Sequence, residues 1–216
     1  MGKVGVIGIV GIHTGIGKTI ASAVIAEALG ADYWKPVQSG IQERDNVLVA
    51  SLITNGKLRV HEEAYLLNTP VSPHQAADID KVTIDYKNLK WPETNKILLV
   101  ETAGGLLSPM TGTDTMADFI QHYQLPVILV AQNYLGSINH TMLTIEVLKS
   151  RGINVAGIIF NGHSNEASES LITNNTDIPI LGRIPHIDHL NADGVSRCAD
   201  TIKQSIISNL TNLLNN

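Results

Sequence analysis

Short apolar runs alternate along the chain with longer amphipathic stretches. The run at residues 4–10 predicts a buried strand, residues 19–29 a helix, residues 32–35 a second strand and residues 47–54 a second helix. The rhythm returns as apolar runs at 97–101, 127–131, 155–160 and 178–181, with a helical stretch at 139–151. That order favours an α/β fold, a mostly parallel sheet flanked by helices on both faces, with ligands bound beyond the carboxyl ends of the strands. At Ser72-Pro73-His74-Gln75 the serine suits a helix cap, the proline the first helical position and the glutamine the reciprocal capping position, so a helix is expected to start there. Near the end, Ile202, Ile206, Leu210 and Leu214 recur every fourth residue as an apolar stripe. Only Lys203 is basic in that stretch, so packing against the sheet is expected rather than membrane docking.

Composition narrows the setting. The 216 residues carry no long Pro/Gly/Ser-rich or charge-dense segment, which predicts one domain spanning 1–216. No apolar run approaches the ~20 residues needed to cross a bilayer, and the first one lacks the flanks of a secretory signal. A single cysteine, Cys198, fits a reducing compartment, so a cytoplasmic location is expected. The net charge of -5, without clustered lysine and arginine, argues against nucleic acid and for a small substrate.

The chemistry concentrates at Gly11-Ile12-His13-Thr14-Gly15-Ile16-Gly17-Lys18-Thr19, between the first strand and the first helix. Glycines let backbone amides approach an anion, Lys18 reaches β- and γ-phosphates, the helix N-terminus adds a favourable dipole and the Thr19 hydroxyl suits magnesium. The chain therefore reads as a P-loop NTPase-like nucleotide binder. Five residues separate Gly11 from Gly17 where the ordinary loop has four.

Further groups fall at strand ends. Glu101 closes an apolar strand, where a magnesium partner of the phosphate loop is commonly carried, and Thr102-Ala103-Gly104-Gly105 follows as an amide-rich turn. Lys35 ends the second strand inside Tyr33-Trp34-Lys35-Pro36-Val37-Gln38-Ser39-Gly40 and would raise the local positive potential. Asp45 reads, on its residues alone, as a helix cap.

Together with Ser72-Pro-His, Leu125-Pro-Val-Ile-Leu-Val, Leu135-Gly-x-Ile-Asn-His and Gly182-x-Ile-Pro, these segments, in this order from Gly11 to Pro185, resemble the dethiobiotin synthetase family. The resemblance implies ATP-dependent carboxylation and ring closure of 7,8-diaminononanoate with CO2, through a carbamate and a carbamic-phosphoric anhydride, with ADP and phosphate released. It implies that Lys35 and Lys18 stabilise the carbamate and the transferred phosphoryl group, and that Thr19, Asp45 and Glu101 hold Mg2+. Nucleotide contacts would come from Gly15, Ile16, Gly17, Lys18, Thr19, Ile20, Thr102, Ala103 and Gly104. Asn161 with Gly162 would read adenine, flanked by Pro185, His186 and Ile187. Ser39 and Thr14 would face the diamine, and Gly136, Ser137, Ile138 and Asn139 of a second subunit would hold its carboxylate, which implies a homodimer. His13 and Gly15 stand where acidic residues are common in this loop, and His13 reads as a solvated loop residue.

Three other readings fit less well. A ParA/MinD-like switch needs a further lysine near the loop start, where Ile12 and His13 stand. A GTPase needs aspartate where Asn161-Gly-His-Ser has serine, and an amidating synthetase related to the cobyrinic acid enzymes needs a source of ammonia for which the chain has no domain.

Overall fold

A computed structural model of the chain describes residues 5–214, with side chains as far as Leu210. Its centre is a seven-stranded sheet in the order β4-β2-β6-β1-β7-β8-β9. These are β1 (Val6–Gly11), β2 (Asp32–Trp34), β4 (Val60–His61), β6 (Leu98–Glu101), β7 (Val127–Gln132), β8 (Val155–Asn161) and β9 (Ile180–Ile184). Every neighbouring pair is parallel. The central strands are apolar almost throughout because helices cover both faces, the condition that removes the alternation of a half-solvated sheet.

From β1 the chain moves through α1 (Lys18–Leu29) to β2 and then to β4 at one edge, returns to place β6 beside β1, and builds β7, β8 and β9 on the other side. Departure in two directions from β1 opens a crevice at the carboxyl edge, where both the phosphate loop and Glu101 emerge.

Helix α1 begins after Gly17 and ends at Gly30, whose amide bonds to the Ala26 carbonyl. Its small residues Ala21, Ser22, Ala23, Ala26 and Ala28 let it sit close to its neighbours. Helix α7 (Ala192–Leu214) lies along α1 and β9. Its stripe residues Ile202, Ile206 and Leu210 are buried, as the periodicity predicts for packing on the fold, whereas the side chain of Leu214 lies outside the described residues, as does Val4 at the start of the first apolar run.

Several elements depart from the sequence pattern. Short β3 (Val37–Ser39) and β5 (Tyr65–Leu67) pair in a separate parallel ladder. Helices α4 (Met116–His122) and α6 (Glu166–Asn174) fill connections for which the apolar pattern predicts no element. Helix α2 (Asp45–Leu52) starts two residues before its predicted span, and α5 covers Ser137–Ser150. Helix α3 (Pro73–Asp80) starts with proline as expected, but the reciprocal cap does not form: Ser72 makes no side-chain cap, and its hydroxyl meets His74 Nδ1 at 3.0 Å. Among the described residues no helix is long and apolar enough to cross a membrane.

Candidate active site

The phosphate loop owes its shape to close packing at two glycines. Gly17 adopts a left-handed conformation, φ 82°, and a Cβ there would sit 2.1 Å from Asn161 Nδ2. At Gly11 a Cβ would lie 3.0 Å from Lys18 Cδ, because the lysine stem folds back across the loop. Lys18 is buried, with its ammonium 3.5 Å from the His13 carbonyl. Burial lowers its pKa, the Glu101 charge opposes that, Lys35 adds to it and Asp45 opposes it.

One helical residue beyond Lys18, Thr19 donates its hydroxyl to Asp45 Oδ1 at 2.6 Å and to Glu101 Oε1 at 3.1 Å. Parallel pairing of β2 with β6 carries Lys35 to the level of Glu101, and the Lys35 ammonium lies 3.7 Å from Glu101 Oε1 while bonding Asp45 Oδ2. Burial pulls the Lys35 pKa down, but the Glu101 and Asp45 carboxylates outweigh it and hold the ammonium above its ordinary value. Asp45 is the first residue of α2 and makes no cap. The cap reading fails because its carboxylate turns instead to Thr19 and Lys35.

Two groups here had not been singled out from the sequence. Ser22 donates to Glu101 Oε2 at 2.7 Å and Tyr33 to the same oxygen at 3.0 Å. Burial, followed by the Glu101 charge, pushes the Tyr33 phenol well above its usual range, so it remains a donor. The signal was present: Ser22 follows Lys18 by one helical turn, and Tyr33 shares a strand face with Lys35.

The residues fit a magnesium ion by donor chemistry. Two carboxylates and one hydroxyl, all hard oxygens, converge beside a phosphate loop, which suits an ion that keeps waters and phosphate oxygens as its other ligands. No group of three or more His, Cys, Asp or Glu side chains suited to an all-protein metal cage occurs among the described residues.

The remaining candidates lie along the same edge. Thr14 and Gly15 are exposed at the loop tip, and Ile16 and Ile20 turn their side chains inward. Thr102 is buried, with both its amide and its hydroxyl bonded to the Ile9 carbonyl, so it ties β6 to β1. Ala103 packs on the core, and a Cβ on Gly104 would come 3.4 Å from Thr14 Oγ1. Asn161 donates its amide to the Ile16 carbonyl at 2.9 Å, which joins the end of β8 to the phosphate loop. Gly162 follows in a left-handed turn, and Pro185, His186 and Ile187 line a cleft of about 320 Å³ with Arg183 and Arg197. The His186 ring stacks on His163 at 5.0 Å.

Ser39 carries a buried hydroxyl with no hydrogen-bond partner and lines a cleft of about 490 Å³ with Gly40, Ile41 and Pro70. Gly136, Ser137, Ile138 and Asn139 form the start of α5, where the His140 amide bonds the Gly136 carbonyl. His13 is exposed, but it is more than a solvated residue: its ring stacks on His140 at 6.1 Å and meets Tyr134 edge-on, and its Nδ1 lies 2.6 Å from the Thr14 carbonyl oxygen. Tyr134 in turn bonds His140 Nδ1 at 2.7 Å, so an aromatic cluster borders a cleft of about 480 Å³ between the loop and α5.

Comparison with known proteins places this geometry. A family model described as an AAA domain matches residues 6–193. Among solved structures, a putative plasmid partition protein from Borrelia burgdorferi bound to AMPPNP superposes with a TM-score of 0.57 at 13% identity, covering 98% of this chain and all of that one. The MinD cell division protein of Aquifex aeolicus gives 0.51 at 18% identity, covering 99% of this chain and 98% of that one. At such identities these structures share the fold, that of P-loop NTPases. Curated relatives are much nearer in sequence. The ATP-dependent dethiobiotin synthetase BioD of Christiangramia forsetii is 47% identical over 186 residues, 84% of this chain and 89% of the relative. That of Chlamydia pneumoniae is 42% identical over 202 residues, 93% and 90% of the two chains. With site motifs and near-full-length similarity in agreement, the chain belongs to the ATP-dependent dethiobiotin synthetase family.

Proposed function

We propose that this protein is an ATP-dependent cyclo-ligase that carboxylates 7,8-diaminononanoate with CO2 and closes the ureido ring of dethiobiotin, in biotin biosynthesis. The observation that carries this reading is the convergence of two buried lysines, Lys18 and Lys35, with Thr19, Asp45 and Glu101 at one carboxyl edge of the sheet. In the reaction one amine adds to CO2 and loses a proton to give a carbamate. A carbamate oxygen takes the γ-phosphoryl group of ATP as ADP leaves, and the second amine attacks the resulting anhydride carbonyl and expels phosphate.

Neither phosphoryl transfer nor ring closure requires a covalent enzyme intermediate, so positioning and electrostatics carry the catalysis. Lys18, at the loop, suits the β- and γ-phosphates. Lys35, charged by virtue of its two carboxylate neighbours, suits the carbamate and the charge that develops on the transferred group. Thr19, Asp45 and Glu101 would hold magnesium, which when bound neutralises charge on the β- and γ-phosphates. Ser39, with its unpaired hydroxyl, and Thr14 suit the diamine. Asn161 with Gly162 and the segment Pro185, His186 and Ile187 suit the base, and Thr102 supports the site from behind. The reading includes a homodimer in which Gly136, Ser137, Ile138 and Asn139 of one subunit meet the substrate carboxylate held by the other, as helix N-termini do for anions. It further takes residues 1–216 as one synthetase domain working in the cytoplasm.

The test is ADP release by the purified protein with Mg·ATP and bicarbonate, with and without 7,8-diaminononanoate. Diamine-dependent ADP accompanied by a product of the ureido mass is expected. Release of ADP that ignores the diamine would sink the reading.

A further inference from the structure

Glu101 is 1% exposed, and its two oxygens have different surroundings. Oε2 accepts from Ser22 at 2.7 Å and from Tyr33 at 3.0 Å. Oε1 accepts from Thr19 at 3.1 Å and faces the Lys35 ammonium at 3.7 Å. We propose that Ser22 and Tyr33 are positioning residues that hold Glu101 by its rear oxygen, so that Oε1 is the oxygen presented to magnesium. The inference rests on the synthetase reading above for the identity of the reaction, but not for the identity of the ion.

The terminal torsion of a glutamate is broad and nearly two-fold, so burial alone does not choose which oxygen faces forward. Two hydroxyls on one oxygen do choose. Both donors are themselves buried, Ser22 at 0% and Tyr33 at 1%, and therefore cannot turn to water instead. They also come from the two elements that carry the other site groups. Ser22 stands one helical turn after Lys18 on α1, and Tyr33 lies two residues before Lys35, on the same face of the β2 segment. The turn that presents the phosphate loop thus presents the anchor, and the strand that delivers the lysine delivers the second one. Charge balance alone does not require this, since Lys35 already pairs with Glu101 from the front. Magnesium demands near-ideal octahedral geometry at short range, which makes carboxylate orientation decisive. Outer-shell partners of this kind typically change metal affinity about 10- to 100-fold.

The experiment uses the full chain as Tyr33→Phe, Ser22→Ala and the double variant. Three quantities are read: the magnesium concentration giving half-maximal diamine-dependent ADP release, Mn2+ binding to the ADP-bound protein by loss of the free-ion EPR signal, and ATP affinity in EDTA by calorimetry. Each single variant is expected to raise the half-saturating magnesium concentration and to weaken Mn2+ binding, the double variant by about tenfold or more, with metal-free ATP affinity changed less than about twofold. Unchanged Mn2+ binding in the double variant overturns the inference, as does a loss of ATP affinity in EDTA as large as the loss of Mn2+ binding, which would mean that the hydroxyls only stabilise the fold. Should the double variant fail to fold, Tyr33→Phe decides, because it keeps the ring and removes only the hydroxyl. Parent protein that binds Mn2+·ADP but ignores the diamine would count against the synthetase reading alone, since the Mn2+ comparison stands without turnover.

Discussion

At the residue scale the two buried lysines have opposite effects on stability. The Lys35 pKa is raised, so its ammonium contributes stability that is fully present below the ordinary lysine value and is lost only as pH rises through the higher folded value. The Lys18 pKa is lowered, so its charge costs stability at neutral pH, and that cost disappears only above the ordinary value. Lys35→Met leaves Asp45 and Glu101 without the ammonium that pairs directly with both. It should destabilise the metal-free protein at pH 7 by about 3 kcal/mol, the scale for removing one partner from a buried pair. Lys18→Met keeps the stem and removes a poorly compensated charge, and should stabilise by roughly 1 kcal/mol while removing phosphate affinity. Urea denaturation in EDTA reads both, and shifts of the same sign would show that the two lysines do not differ in this way. Adding magnesium should restore much of the loss in Lys35→Met, because a cation again sits between the acids.

At the scale of elements, the junction of β8 with the phosphate loop makes a sharp prediction. A Cβ at Gly17 would meet the Asn161 amide at 2.1 Å, and φ of 82° is unfavourable for any other residue. Gly17→Ala should therefore weaken ADP binding more in the parent than in an Asn161→Ala background, where the steric part of the penalty is gone. A coupling of about 1 kcal/mol in that cycle is expected, and strict additivity would mean that Asn161 simply swings aside. The phosphate loop itself was legible because a buried strand, a glycine run and Lys-Thr at a helix start are fixed by local rules. Asp45 was legible only through the family resemblance, since its neighbours read as a helix start and it is the fold that brings it to Thr19 and Lys35. Ser22 and Tyr33 were missed because they look like ordinary core positions until β2 is set beside β6. Strands β3 and β5 are three residues each, too short for alternation to register. Helix α4 carries its signal in the spacing of Thr115 and Asp118: the Thr115 amide donates to Asp118 Oδ2 at 2.7 Å, the reciprocal half of a capping box. The same motif sought at Ser72 does not form, because Ser72 pairs with His74 instead.

For the whole molecule the open question is whether one chain makes a complete site. The start of α5 presents first-turn amides, and the segment before it exposes Tyr134 and, fully, Leu135, with Leu143 exposed a few turns on. An apolar rim around first-turn helical amides suits contact with a second copy that brings a carboxylate. Ile138→Pro removes one of those amides in the first turn of α5, where no intrahelical hydrogen bond is lost, so the fold should survive it. Lys35→Ala removes the reacting-side cation and leaves α5 intact. If sites are shared across a two-fold axis, each variant alone should be inactive or nearly so. A mixture dissociated and reassociated at equal amounts should then recover about a quarter of parent activity, because half of the dimers are mixed and each mixed dimer has one site with both parts intact. If every chain used its own α5, both kinds of damage would stay in separate sites and mixing would restore nothing. Sedimentation at the assay concentration accompanies the kinetics, since a monomer that retains full turnover would remove α5 of the partner from the chemistry altogether.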